Sequence, residues 1–178
     1  MWYLAFISFL LIGGYLLLMA LRFGIPNMVS DTYYQLQGCT VSEIAPFRKH
    51  RNMGWLFSLL MVTVAFLMLI CLLDTGIGIQ FLAFLGCAGL CFVGFAPNYC
   101  DRDAYSVHKT AAIIAAVGSI GWCLSVSILP TIVILTAYLS YVYQSRRAKT
   151  RHPWYWAEVS GFADVFVTYI IMYSQGSL

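Results

Sequence analysis

The sequence predicts an all-α fold, a polytopic integral membrane protein built as a six-helix transmembrane bundle in one domain over residues 1–178. Three observations carry this expectation. Hydrophobic residues make up 61% of the chain and charged residues only 10%, against roughly a quarter charged in an ordinary soluble domain. The apolar residues fall in runs close to the ~20 that a helix needs to cross a bilayer. All ten Lys and Arg residues fall in three of the connections between those runs, as expected when basic loops sort to one side of a membrane. The formal net charge of +3 is then loop charge, and the expected partner is the lipid bilayer rather than nucleic acid.

The first predicted span is 2–21, with aromatic residues near its start and Arg22 at its end. Neither a basic leader nor a small-residue cleavage site precedes it, so it reads as a retained helix rather than a signal peptide. Residues 23–54 form a long cytoplasmic loop punctuated by Pro26, Ser30, Asp31, Gly38 and Pro46. It is too polar to span and is expected to lie on the surface or fold back against the bundle. Ser30 stands where it could cap a short helix through TYYQLQ, and residues 40–43 (TVSE) carry a second cap signal. Tyr33, Tyr34 and Phe47 suit an aromatic belt at headgroup level.

Spans 55–73 and 77–96 are separated by a short DTG turn. The second of them carries Gly86, Gly89 and Gly94, with Ala83, Cys87 and Cys91 at intervals of four; such a face lets a neighbouring helix approach closely. The apolar stretch 107–143 is too long for one span. It divides into 107–124 and 127–144 with a tight turn between, or forms one helix kinked near Pro130. Charge favours division. With six spans, the connections 22–54, 97–109 and 145–153 share one side and hold every Lys and Arg, whereas one kinked helix would put SRRAKTRHP opposite the other two. The last span, 154–173, has Trp154, Tyr155 and Trp156 at one end and Tyr169 and Tyr173 toward the other. The positive-inside rule places the three basic connections in the cytoplasm and both termini outside, in what is expected to be a bacterial inner membrane.

Two of the connections echo one another. FGIPNMVSDTY follows the first span and VGFAPNYCDRDAY the third, each with Gly, then Pro-Asn, then Asp-x-Tyr. Internal duplication and shared local turn chemistry both account for this.

The central polar passage, PNYCDRDAYSVHK at 97–109, contains Asp101, Asp103 and His108. The topology collects His50, His108 and His152 just before or at the start of spans two, four and six. Three imidazoles can bind Zn or another divalent metal and activate water. This gives one functional reading, a metal-dependent hydrolase of a lipid headgroup, with Asp101, Asp103, His108 and Glu158 as catalytic groups. The plainer reading is that the histidines face water and headgroups, since each adjoins basic residues and no HExxH or paired-Cys motif is present. Cys87 and Cys91 share a helix face without a His or acid beside them, so neither a metal site nor a disulfide framework follows.

Asp164 lies near the middle of the last span, where an acid ordinarily faces a bundle interior or polar cavity. Glu158 is six residues earlier, about 120° around and about 9 Å along an ideal helix. Coupling to a solute and structural polar packing both explain Asp164. No nucleophile elbow, phosphate loop or dinucleotide fingerprint occurs. The leading functional reading is a small-solute transporter or binding protein with Asp164 and Glu158 as substrate- or ion-coupling groups and no cofactor, assembled as a homo-oligomer if it forms a channel. The hydrolase and a structural or accessory subunit of a membrane complex are the alternatives. The first span followed by a Pro-containing loop with Ser, the six-span layout, and His108 opening a small-residue helix with Lys109, Thr110, Ala111 and Ala112 resemble the DRAM-like membrane proteins. That resemblance implies membrane residence rather than a catalytic mechanism.

Overall fold

Six long helices and one short one make up the described part of the computed structural model, which covers residues 2–38, 53–148 and 152–174. The helices are α1 (Trp2–Phe23), α2 (Thr32–Gln37), α3 (Trp55–Asp74), α4 (Gln80–Phe95), α5 (Arg102–Val126), α6 (Ile128–Ala148) and α7 (Pro153–Ser174), with a 3-10 turn at Val29–Asp31 before α2. The TVSE signal, Phe47 and His50 lie outside the described residues. Helices α1, α3, α5 and α6 are each long and apolar enough to cross a membrane, while α4 is apolar but shorter. The chain is thus a helical membrane protein whose long helices bury polar contacts between them.

The break inside 107–143 is real. Helix α5 ends at Val126, Ser127 is extended (φ −158°, ψ 128°), and its N–H still donates to the Cys123 carbonyl at 2.8 Å. Pro130 then falls in the first turn of α6, where its missing donor would have had no helical acceptor. At its other end α5 starts at Arg102, earlier than the predicted span, because Asp101 occupies the cap position and accepts the Asp103 N–H at 3.3 Å.

Helix α4 starts later than expected. Gly76 and Gly78 take positive φ (63° and 71°), a conformation that L side chains disfavour. The turn they make lets the Ile77 carbonyl accept from the buried Trp122 indole at 3.2 Å and the Ile79 N–H donate to Ser125 Oγ at 2.9 Å. The α3–α4 and α5–α6 turns therefore meet at one end of the bundle.

The small-residue face of α4 packs closely against α5, as predicted. A Cβ on Gly89 would lie 2.5 Å from the Ala115 nitrogen and 2.7 Å from the Ala111 carbonyl oxygen, and one on Gly86 would lie 2.9 Å from the Ser119 nitrogen. Backbone meets backbone along α4 and α5. Van der Waals contact over such a surface is what membrane helices have in place of hydrophobic exclusion. On the far side of α4, Gly94 sits against Met61 and the Ser58 carbonyl of α3.

The first connection folds back against the bundle, and two local expectations for it are corrected. Ser30 does not cap α2, whose cap position is Asp31 and has no side-chain cap bond. Tyr34 is not in an exposed belt: it is buried, its hydroxyl accepting the Cys100 N–H at 2.8 Å and donating to Asn98 Oδ1 at 3.1 Å. Tyr15 of α1 reaches up to donate to Thr32 Oγ1 at 2.7 Å.

Candidate functional site

Two polar sites emerge. The larger lies at the end of the bundle opposite the Gly76–Gly78 turn, where the two echoed passages pack on each other. Asp31 holds the first passage in shape: its Oδ2 accepts the N–H groups of Asn27 and Met28 at 3.1 and 3.2 Å, and its Oδ1 accepts the Tyr99 hydroxyl. Glu158, on the first turns of α7, accepts the Val29 N–H at 2.5 Å, and the Tyr155 N–H donates to the Asn27 carbonyl at 2.9 Å. The Val29–Asp31 turn is thereby clamped from the second passage on one side and from α7 on the other.

Inside this clamp Ser30 meets His108. Their side chains are 6% and 8% exposed, and Ser30 Oγ is 3.1 Å from His108 Nε2. His108 Nδ1 is 2.8 Å from the Ala96 carbonyl oxygen. A carbonyl can only accept, so Nδ1 carries the proton, Nε2 presents its lone pair, and the Ser30 hydroxyl donates to it. The Ala96 carbonyl is free for this role because α4 ends at Phe95 and the Cys100 N–H, which would bond it in a continuing helix, goes to the Tyr34 hydroxyl instead. The Tyr99 ring lies against the imidazole with centroids 5.2 Å apart and against Tyr34 at 5.1 Å.

Burial, followed by the Asp31 carboxylate that accepts its proton, pushes the Tyr99 hydroxyl above the ordinary tyrosine range. The folded state therefore keeps a proton that the unfolded chain releases near pH 10. The contribution is fully present below about pH 10 and lost as pH rises through the folded value. Thermal melts in detergent should show stability falling from pH 10 upward, and Tyr99→Phe should flatten that decline; an unchanged alkaline decline in the variant would contradict the assignment.

The second site is Asp164. It is 4% exposed on α7, and Thr131 of α6 donates to its Oδ1 at 3.2 Å. The Cys123 thiol of α5 and the Thr168 hydroxyl one turn along α7 lie near the same carboxylate, and Thr168 Oγ1 is buried without a hydrogen-bond partner among the described residues. Three helices thus surround one acid, and no Lys or Arg pairs with it among the described residues.

The residues named for the metal-dependent hydrolase do not assemble. Asp101 and Asp103 are exposed at the start of α5, Glu158 is engaged with Val29, and both ring nitrogens of His108 are taken. His152, partly buried before α7, leaves Nδ1 without a hydrogen-bond partner. Among the described residues no group of three or more His, Cys, Asp or Glu could hold a metal ion, which argues against that alternative. Sequence reasoning missed Ser30, Asp31, Tyr34 and Tyr99 as members of a site. The signal was present in the echo, whose two copies contribute Asp31 and Tyr99 to one hydrogen bond. No family model, curated protein or solved structure matches the chain.

Proposed function

We propose that the chain is a six-span protein of the bacterial inner membrane, both termini outside, that binds a proton or small cation at Asp164 and couples it to passage of a small solute. The observation that supports this is a nearly fully buried carboxylate between α5, α6 and α7 whose hydrogen-bond donor is the neutral Thr131 hydroxyl. An acid held in an apolar bundle without a basic partner takes up a proton or a cation rather than stay alone and charged. Glu158, nearer the cytoplasmic end, serves as the second carboxylate on the path, and its bond to Val29 ties that path to the folded-back connection.

The test needs no knowledge of the solute. Dicyclohexylcarbodiimide, which modifies protonated carboxyls in apolar surroundings, should label Asp164 in proteoliposomes, and Asp164→Asn should abolish the labelling. Protection by sodium would identify a cation, and protection by alkali alone a proton. Proton flux into the vesicles, read with a trapped pH dye, should fall at least about tenfold in the variant, the scale of a ~1.4 kcal/mol effect. Unlabelled Asp164 with unchanged flux would sink the reading.

A further inference from the structure

We propose that Ser30 and His108 form a metal-free nucleophile–base pair that cleaves carboxylic esters at the membrane surface. This activity is separate from anything at Asp164. The geometry is that of an activated serine: nucleophile within hydrogen-bond reach of a base, and the base oriented by a third group. Ser30 Oγ lies 3.1 Å from Nε2, and the Ala96 carbonyl, 2.8 Å from Nδ1, fixes the tautomer in which Nε2 is the acceptor. A carbonyl in the third position orients the ring and retains its N–H bond when the imidazole becomes imidazolium; being neutral, it stabilises that cation less than a carboxylate does.

Asp31, although adjacent in sequence, is not the third member, because its oxygens are occupied by Asn27, Met28 and Tyr99. Its role is positioning: with Glu158 it makes the Val29–Asp31 turn a rigid mount for the nucleophile. A serine on such a mount needs no further ordering before attack. Tyr99 covers the imidazole on one side.

The reaction balances without a cofactor. Ser30 Oγ bonds to the ester carbonyl carbon while its proton passes to His108 Nε2. The carbon–oxygen bond to the alcohol then breaks as the imidazolium returns that proton to the departing oxygen, leaving an acyl-serine. Water, losing a proton to Nε2, attacks the acyl carbon; the acid leaves and the proton returns to Ser30. The Asp31 carboxylate beside Ser30 disfavours an anionic group next to the scissile bond, so the expected substrate is an ester uncharged at that position. Both glycerolipids and small soluble molecules supply such an ester.

The experiment uses the full chain purified in detergent micelles and treated with a fluorophosphonate probe. Mass spectrometry should find the adduct on Ser30 of the wild-type protein. Labelling should disappear in Ser30→Ala, fall at least about a hundredfold in His108→Gln, and persist in Asp164→Asn. Hydrolysis is then followed with a diacylglycerolipid in mixed micelles and with p-nitrophenyl acetate in solution. Turnover of the first alone identifies a lipid ester, and turnover of the second alone a soluble one. Wild-type protein that carries no adduct on Ser30, or that carries it and hydrolyses neither ester, overturns the proposal. Both readings are made on the unmutated chain and do not depend on any variant folding.

Discussion

Replacing Asp31 with alanine should loosen the whole end of the bundle against which the first connection folds. The substitution leaves the N–H groups of Asn27 and Met28 and the hydroxyl of Tyr99 without their acceptor. These donors are part-buried and water can reach them, so each lost bond costs about 0.5–1.5 kcal/mol and the sum is expected to be ~3 kcal/mol. The effect should be read as a lower unfolding midpoint in detergent and as faster amide hydrogen exchange across residues 24–38. Asp31→Asn keeps one acceptor oxygen and should lose far less. Equal losses for the two variants would mean that the hydrogen bonds do not hold the turn.

Gly118→Val should be of comparable size, through a different cause. A Cβ at Gly118 would stand 2.5 Å from the Gly86 nitrogen, 2.9 Å from the Gly86 Cα and 2.9 Å from the Leu82 carbonyl oxygen. All three are backbone atoms and cannot rotate away, so α4 and α5 must separate. Overpacking of this kind costs about 1–3 kcal/mol, at times more. Gly121→Ala provides the internal comparison: the three atoms nearest its Cβ would all belong to the Leu82 side chain, the first being Cδ1 at 3.0 Å, and a side-chain end can move. Gly13→Ala on α1 meets nothing within 4 Å and should be near neutral. Unfolding in a denaturing detergent should rank Gly118→Val as the least stable, then Gly121→Ala, then Gly13→Ala; a reversed order would mean that the α4–α5 contact is looser than described.

The parts of the fold that were legible share one property: they depend on composition and spacing within a single helix. The helices around 2–23, 55–74 and 128–148 follow from their apolar runs, and the break before Pro130 follows from a stretch too long for one span. Asp164 was legible for the same reason, since one acid in an apolar helix turns inward whatever its neighbours are. Ser30 illustrates the opposite case. Its local pattern suited a helix cap, but its hydroxyl found an imidazole 78 positions away, and no local rule anticipates a partner supplied by another helix. Tyr34 failed likewise, since a tyrosine suits an interface until a backbone N–H such as that of Cys100 is brought to it.

By itself, the sequence determined that this chain is helical, membrane-embedded and sharply divided between apolar runs and basic connections, because hydropathy and charge act on each segment separately. Only the tertiary structure decided that the two echoed passages meet and that Asp31 and Glu158 clamp one turn between them. The same is true of the approach of Ser30 to His108 and of the absence of a metal-holding donor group among the described residues. Those outcomes depend on which backbone groups are left without partners where helices end. The end of α4 and the starts of α5 and α7 must come together before the Ala96 carbonyl, the Val29 N–H and the Tyr99 hydroxyl can find theirs.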